Sequence, residues 1–491
     1  MLDKTSFPYG AGFRSLTREV VEPVPLTVRG ELPAWLGGTL LRTGPSKFEV
    51  GEQHYNHWFD GLAMLHRFGL AGGRVTYANR FLKSNAFCAA EKTGKIAYGE
   101  FATDPCRTLF GRVASLFDPN LTANCNVNVV TMGGETAALT ETTLPVRFDP
   151  KTLATLGVFG YAPPLRGQIS TAHPHYDAAR KRHYSYMVEF GMQSRYRLFS
   201  VGDDGAQDLV ADLPVDRPAY MHSFAMTERS LVLVEFPLTV SALALKFSGK
   251  PFIQNYRWEP ERGLRFHVFD KDSGREVATA KTDAAFAFHH VNAFEDGDSL
   301  VIDMIAYPDA TIIDALYLAR LRAGTLLTAT GALTRFQVPL AGDGAVTRRM
   351  LAPAALELPR INYETRAGNP YRYVWGTGIQ APGDFLDSIL KIDIESGKAA
   401  RWYEAGVYPG EPVFVPHPGA NAEDQGVLLS VVLDIDQDRS FLLVLDAATL
   451  EERARAEAPH AIPFHFHGNY FADTALGRWP GPQQPPRPPA T

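Results

Sequence analysis

Apolar residues run through this chain in short blocks, each bounded by glycine, proline or a polar turn. Leu231-Val-Leu-Val-Glu-Phe236, Ser299-Leu-Val-Ile-Asp-Met304 and Gly426-Val-Leu-Leu-Ser-Val-Val-Leu433 each predict one strand. Helical periodicity is rare, and only Asp314–Ala323 and the segment around Arg107–Phe117 predict helices. One hairpin signature recurs: an apolar strand ends in Asp, a turn with Ser or Thr and often Gly follows, and a polar strand returns. It is found at Phe148-Asp149-Pro-Lys-Thr152, Phe269-Asp270-Lys-Asp-Ser-Gly274, Ile392-Asp393-Ile-Glu-Ser-Gly397 and Leu445-Asp446-Ala-Ala-Thr449. An Asp side chain can cap such a turn, and Gly supplies its left-handed position. The first three aspartates lie 121 and 123 residues apart, and the fourth follows after 53. Spacings near multiples of sixty fit propeller blades of four short strands. Hairpins of any other all-β fold would carry the same signature.

With 491 residues, the chain is long enough for a large core. It predicts one domain over residues 1–478. The tail, Trp479–Thr491, carries six prolines and predicts a disordered extension. A net charge of −6 without a basic cluster gives nucleic acid no footprint. Cys88, Cys106 and Cys125 form no CxxC pair, which argues against a disulfide framework and a cysteine zinc site. Met1 to Val20 lacks a secretory apolar region, and no apolar run approaches the ~18 residues of a membrane span. The expected location is cytoplasmic, with at most peripheral attachment to a membrane.

Common catalytic signatures fail. GxSxG, HExxH, Walker A and GxGxxG are absent. Asp434-Ile-Asp436-Gln-Asp438 begins like a calcium loop, but Arg439 and Leu445 occupy the positions that need Gly and Glu, so a turn is expected. The histidines are more informative. His173 in Thr171-Ala-His-Pro-His175, His222 in Tyr220-Met-His-Ser-Phe224, His289 in Phe286-Ala-Phe-His-His290 and His467 in Phe464-His-Phe-His-Gly-Asn469 sit in apolar, strand-like surroundings. Imidazole is the commonest ligand for iron, copper and zinc. A hydrogen-bonded core histidine is the plainer reading of any one; four in the same context point to a shared ion.

At these segments the chain resembles the carotenoid cleavage oxygenase family, in its animal carotene oxygenase and retinoid isomerase branch. The resemblance rests on Tyr55-Asn-His-Trp-Phe-Asp-Gly-Leu-Ala-Met-Leu-His-Arg-Phe68, Thr171-Ala-His-Pro-His175, Phe288-His-His-Val-Asn292, Gly410-Glu-Pro-Val-Phe414 and Phe466-His-Gly468, and runs from about Leu26 to His467. It implies an all-β fold, a seven-bladed β-propeller with a helical cap over its top face. It also implies one non-haem Fe(II) held by His173, His222, His289 and His467. By the motifs His175, His290 and His465 are non-ligands, although His175 and His465 lie two positions along and would share a strand face with a ligand. The family's ligand-supporting glutamates fall on Glu141, Glu357 and Glu411, each of which, read alone, would be a surface residue.

The activity so implied is O2-dependent cleavage of a carotenoid or apocarotenoid double bond to aldehydes, most simply central cleavage to retinal. The family places Thr140 near the open coordination position as a catalytic residue. Stilbene-cleaving relatives carry Lys there, so its absence favours a polyene. An apolar tunnel is expected, with Phe59, Phe87, Phe101, Phe288 and Tyr307 as candidate walls. Two segments resemble the family's membrane-facing regions. The first puts Leu109, Phe110, Val113, Leu116 and Phe117 on one helical face, and the second is Phe236–Phe247. Packing against the cap would explain either equally simply. The alternatives are a retinoid isomerohydrolase, which shares Asp104-Pro-Cys106, eccentric or stilbene-type cleavage, and a propeller that only binds a lipid or protein.

Overall fold

The computed structural model describes residues 8–472 apart from 105–120, 162, 164, 325–328, 342–343 and 381–383. The expected tail at 479–491 and the helical face from Leu109 to Phe117 lie outside these residues. The fold is all-β, and its ladders are antiparallel. The expected strands form as Ser230–Glu235, Ser299–Ala306 and Gly426–Asp434.

Local chemistry sets the hairpins. In all four Asp-turn signatures the aspartate Oδ1 accepts backbone N–H groups two or three residues ahead: Lys151 and Thr152 for Asp149, Ser273 for Asp270, Glu395 for Asp393, and Ala448 and Thr449 for Asp446. These bonds replace ladder partners that the turn cannot offer. Gly274 and Gly397 take the left-handed φ of 68° and 69° that closes two of the turns. The calcium-like segment is also a turn, in which Asp434 Oδ1 accepts from Asp436 and Gln437.

The strands assemble into successive sheets. Asn128–Met132, Glu135–Leu139, Val146–Phe148 and Thr155–Val158 form one. Arg182–Glu189, Ser194–Gly202 and Gln207–Val215 form the next, with Ile169–Ser170 and His175–Asp177 both pairing the first of them. Ala225–Met226, Ser230–Glu235, Leu264–Asp270 and Glu276–Thr282 follow. A seven-stranded sheet from His290–Asp296 to Lys398–Tyr403 then shares the long strand Thr347–Arg360 between its two halves. The two chain ends cross over. Gly468–Ala472 joins Gly38–Lys47 in the first sheet, and Thr27–Gly30 joins Glu452–Glu457 in the last.

Within a sheet, burial falls from the middle outward. Ser230–Glu235 is buried at every residue, whereas the outermost strand Lys398–Tyr403 is almost wholly exposed. Fully buried side chains such as Leu231, Leu233 and Phe266 each contribute roughly 1.5–3 kcal/mol.

Helices are few and short. The helix expected over Asp314–Ala323 is broken into Thr311–Ala315 and Leu318–Arg322. The break has a tertiary cause: Tyr317 takes an extended conformation and bridges to His57, with Leu318 N–H donating to Asn56 O and Trp58 N–H to Leu316 O. Among the described residues no helix is long and apolar enough to cross a membrane.

Candidate metal centre

Each of the four singled-out histidines lies at or just ahead of a strand start. His173 falls between Ile169–Ser170 and His175–Asp177, His222 before Ala225–Met226, His289 before His290–Asp296 and His467 before Gly468–Ala472. Four different sheet regions thus deliver four rings to one point. Their ligand atoms all lie within 4.8 Å of one another. His173 Nε2 is 3.0 Å from His222 Nε2, and His289 Nε2 is 3.1 Å from His467 Nε2.

Three of the rings are held from behind by a glutamate. His222 Nδ1 lies 2.6 Å from Glu141 Oε1, His289 Nδ1 2.6 Å from Glu357 Oε2, and His467 Nδ1 2.7 Å from Glu411 Oε1. These carboxylates are themselves fixed. Tyr220 donates to Glu141 at 2.8 Å and Tyr307 to Glu357 at 2.6 Å. Glu411 accepts from Arg360 Nε at 2.8 Å and from Gly468 N–H at 3.0 Å. The three glutamates that sequence alone would put on the surface are therefore committed to the site.

Electrostatics settles the proton positions. Burial by itself would raise the Glu357 and Glu411 carboxyls. His289 and Tyr307 outweigh it at Glu357, and Arg360 and His467 outweigh it at Glu411, so both stay below the usual range and ionised. An ionised carboxylate only accepts, so the facing Nδ1 of His289 and of His467 must carry the hydrogen. Burial, more than the neighbouring histidines, pushes His467 down to about 4 and His173 well below its ordinary value. The His289 and His467 Nε2 atoms then present lone pairs to each other at 3.1 Å. Two acceptors at that distance repel unless a cation lies between them.

The donor set fits a divalent first-row ion. Imidazole suits iron, copper, nickel and zinc. Two imidazole nitrogens at right angles, each about 2.1 Å from an ion, would stand about 3.0 Å apart, and the two short Nε2 separations are 3.0 and 3.1 Å. Neutral rings with a carboxylate behind Nδ1 are the usual form of a metal-ligating histidine.

The neighbouring histidines are engaged elsewhere. His175 bonds Tyr363 Oη at 2.9 Å and Phe224 O at 2.9 Å. His465 bonds Ser46 Oγ at 3.1 Å, and His290 bonds Ser223 Oγ at 2.8 Å.

A cavity of roughly 500 Å³ reaches His222, His289 and His467, within the usual range for a small-molecule site. Phe59, Phe101, Phe288, Tyr307 and Thr140 line it, as expected. Phe288 packs edge-on to His222 with centroids 5.5 Å apart, and Phe59 lies 5.7 Å from Phe288 and 5.1 Å from Phe101. Phe87 does not belong to this wall. It sits on the helix Asn85–Thr93 and stacks on Phe81 at 4.9 Å, because that short helix packs against the first sheet. Trp58, Glu100, Phe385 and Phe466 line the cavity without having been foreseen. Only Phe466 carried a signal, its place beside His467.

The segment Phe236–Phe247 divides in two. Phe236, Leu238 and Val240 are buried, Phe236 against Phe286 at 5.5 Å, so the first half is core and not surface. The short helix Ala242–Phe247 then emerges with Leu243 69% and Phe247 67% exposed, while Leu245, Lys246 and Phe247 also line the cavity.

Comparisons with known proteins agree with this geometry. The family model described as retinal pigment epithelial membrane protein matches residues 13–472. The chain is 35% identical to the carotenoid isomerooxygenase of Galleria mellonella, over 94% of this chain and 96% of that protein. It is 34% identical to the β,β-carotene 15,15'-dioxygenase of Homo sapiens over 93% of each. It superposes on the cobalt-substituted apocarotenoid oxygenase of Synechocystis with a TM-score of 0.85 at 28% identity, covering 94% of this chain and 98% of that one.

Proposed function

The chain belongs to the retinal pigment epithelial membrane protein family, that of the carotenoid oxygenases, and from this we propose that it is a non-haem iron dioxygenase cleaving a carotenoid or apocarotenoid double bond, at or near the centre of the polyene. Dioxygenase action on a carotenoid follows from the relatives; the iron, its ligands and the bond are our reading. The observation that carries it is the meeting of four imidazole Nε2 atoms at an aromatic-walled cavity. Fe(II) would be held by His173, His222, His289 and His467, and when bound it supplies the activation of O2 that a polyene alone lacks. The reaction balances without an outside reductant: one C=C bond breaks, and each carbon takes one oxygen atom of O2 as an aldehyde.

The protein's part is positioning and exclusion of water. Phe59, Phe101 and Phe288 offer stiff flat surfaces to a rod-like chain, and Tyr307 presents its ring while its hydroxyl is used on Glu357. Thr140 offers a neutral hydroxyl on the same wall, which suits a polyene better than a phenolic stilbene. Glu141, Glu357 and Glu411 fix the tautomer and tilt of three ligands. Thr171 Oγ1 ties two ligand segments together, donating to His222 O at 2.6 Å and accepting from His173 N–H at 3.0 Å.

Two finer readings accompany this. Successive sheets, with Thr347–Arg360 shared between two of them and both ends interlocked, support a seven-bladed propeller. The exposed Leu243 and Phe247 beside Lys246, at residues that line the cavity, support peripheral docking on a membrane from which an apolar substrate would enter. We place the protein in the cytoplasm on this basis.

Chromatography of products from β-carotene and from a shorter apocarotenal, with Fe(II) and O2, tests the function. Two retinal molecules per β-carotene with matching oxygen uptake is the expected result. Turnover of a retinyl ester without oxygen uptake would instead assign an isomerohydrolase.

A further inference from the structure

Four carboxyl side chains line the cavity: Glu100, Asp104, Glu141 and Glu357. Glu141 and Glu357 are spent on the histidines and tyrosines behind the metal centre. Asp104 adjoins residues outside the described part of the chain. Glu100 has no assigned task. It is only 8% exposed, and its side chain has one hydrogen-bond partner among the described residues, Thr122, whose Oγ1 donates to Oε1 at 2.7 Å. No basic side chain among the described residues pairs with it. Burial holds this carboxyl well above the ordinary range, Asp60 adds to the effect, and the Thr122 bond does not offset it. A protonated carboxyl offers one O–H donor together with acceptor capacity.

Its position is informative. Phe101, the next residue, lies 5.1 Å from Phe59, which is in turn 6.4 Å from the His222 ring. On its other side Phe101 is 6.4 Å from Phe252, and Ile253 N–H donates to its carbonyl at 3.0 Å. Glu100 thus stands on the wall between the four nitrogens and the Lys250–Phe252 turn that follows the exposed helix. A polyene with its reacting bond at the nitrogens would run one end past this carboxyl. A hydrocarbon end leaves a buried donor unpaired there, whereas an oxygen satisfies it.

We propose that Glu100 is a specificity-determining residue that hydrogen-bonds a hydroxyl or carbonyl oxygen on one end of the polyene. The inference rests on the reading of this cavity as the polyene site and names the substrate class it favours, one oxygenated at an end.

The test reads binding without turnover. Iron-loaded protein under argon is titrated with β-carotene and with the same polyene carrying a 3-hydroxyl on one ring, following quenching of tryptophan fluorescence, to which Trp58 on the cavity wall contributes. The hydroxylated polyene should bind about tenfold more tightly. Glu100→Leu should erase the difference, and Glu100→Gln, whose amide still donates, should keep most of it. Equal affinities in the unaltered protein, or a preference that survives Glu100→Leu, would overturn the assignment. If the leucine variant does not fold, the comparison in the unaltered protein decides. Because no cleavage is measured, failure of the dioxygenase reading would show separately, as no aldehyde from either polyene once O2 is admitted.

Discussion

Glu411 and His467 meet at 2.7 Å in a place closed to water, the carboxylate being wholly buried. Arg360 and Arg42 flank the same carboxylate, at 2.8 and 3.4 Å, and Arg42 is itself only 1% exposed. The strand start that carries His467 is therefore pinned by charge from three directions. A buried carboxylate with this many partners fixes one geometry and penalises any other.

Glu411→Gln removes that charge and leaves two arginines facing a neutral amide. Breaking a buried ion pair costs about 3–5 kcal/mol, and loss of the group behind a metal ligand costs about 10–100-fold in metal affinity. Thermal unfolding of the metal-free variant should show a marked drop in melting temperature, and iron titration a weaker site. An unchanged melting temperature would mean that the arginines are satisfied in another way.

Acid should destabilise the metal-free protein well before its carboxylates protonate. His57 explains why. Its Nε2 bonds Ile313 O at 3.0 Å while Nδ1 accepts from Phe59 N–H at 3.1 Å, a pattern only the neutral ring satisfies, and burial pushes its pKa down to about 3. His290 is likewise pushed to about 3, and His175 and His183 to about 4, each mainly by burial. Below the ordinary histidine value of 6.5 the unfolded chain takes up protons that the folded chain refuses. Stability is thus intact above pH 6.5 and falls as the pH drops toward 3. The urea midpoint should decline steadily between pH 7 and 5, and His57→Gln should make the decline shallower. A flat profile would show that these rings protonate in place.

The helix Ala242–Phe247 should govern attachment to vesicles. Leu243 and Phe247 are about two-thirds exposed, so replacing both with Glu removes apolar contact with a bilayer while sparing the core. Sedimentation with anionic phospholipid vesicles should show partitioning reduced by roughly tenfold, with melting temperature unchanged. Undiminished partitioning would move the docking surface elsewhere.

Much of the fold is written in local chemistry. The Asp-turn signatures are legible because an aspartate and the backbone it caps lie within three residues, and all four cap as expected. The histidine set is legible because each member sits in a short apolar context at a strand start. What could not be read depends on distant partners. His175 differs from His173 by a bond to Tyr363, 188 residues away, and by one to Phe224. The break in the 314–323 helix comes from Tyr317 pairing with His57. Phe87 looks like a cavity aromatic until its helix turns it onto Phe81. Glu100 reads as an ordinary exposed acid because nothing in Gly99-Glu100-Phe101 reveals the cavity beside it.

The central claim is an iron held by imidazoles whose identity is set by register. Metal content of protein purified after supplementation with Fe(II), measured for the unaltered chain and for His289→Ala and His290→Ala, tests it most directly. The account predicts one iron per chain in the unaltered protein, near-complete loss in His289→Ala, and retention in His290→Ala, whose ring bonds Ser223 instead. A metal-free unaltered protein, or equal retention by the two variants, would contradict it.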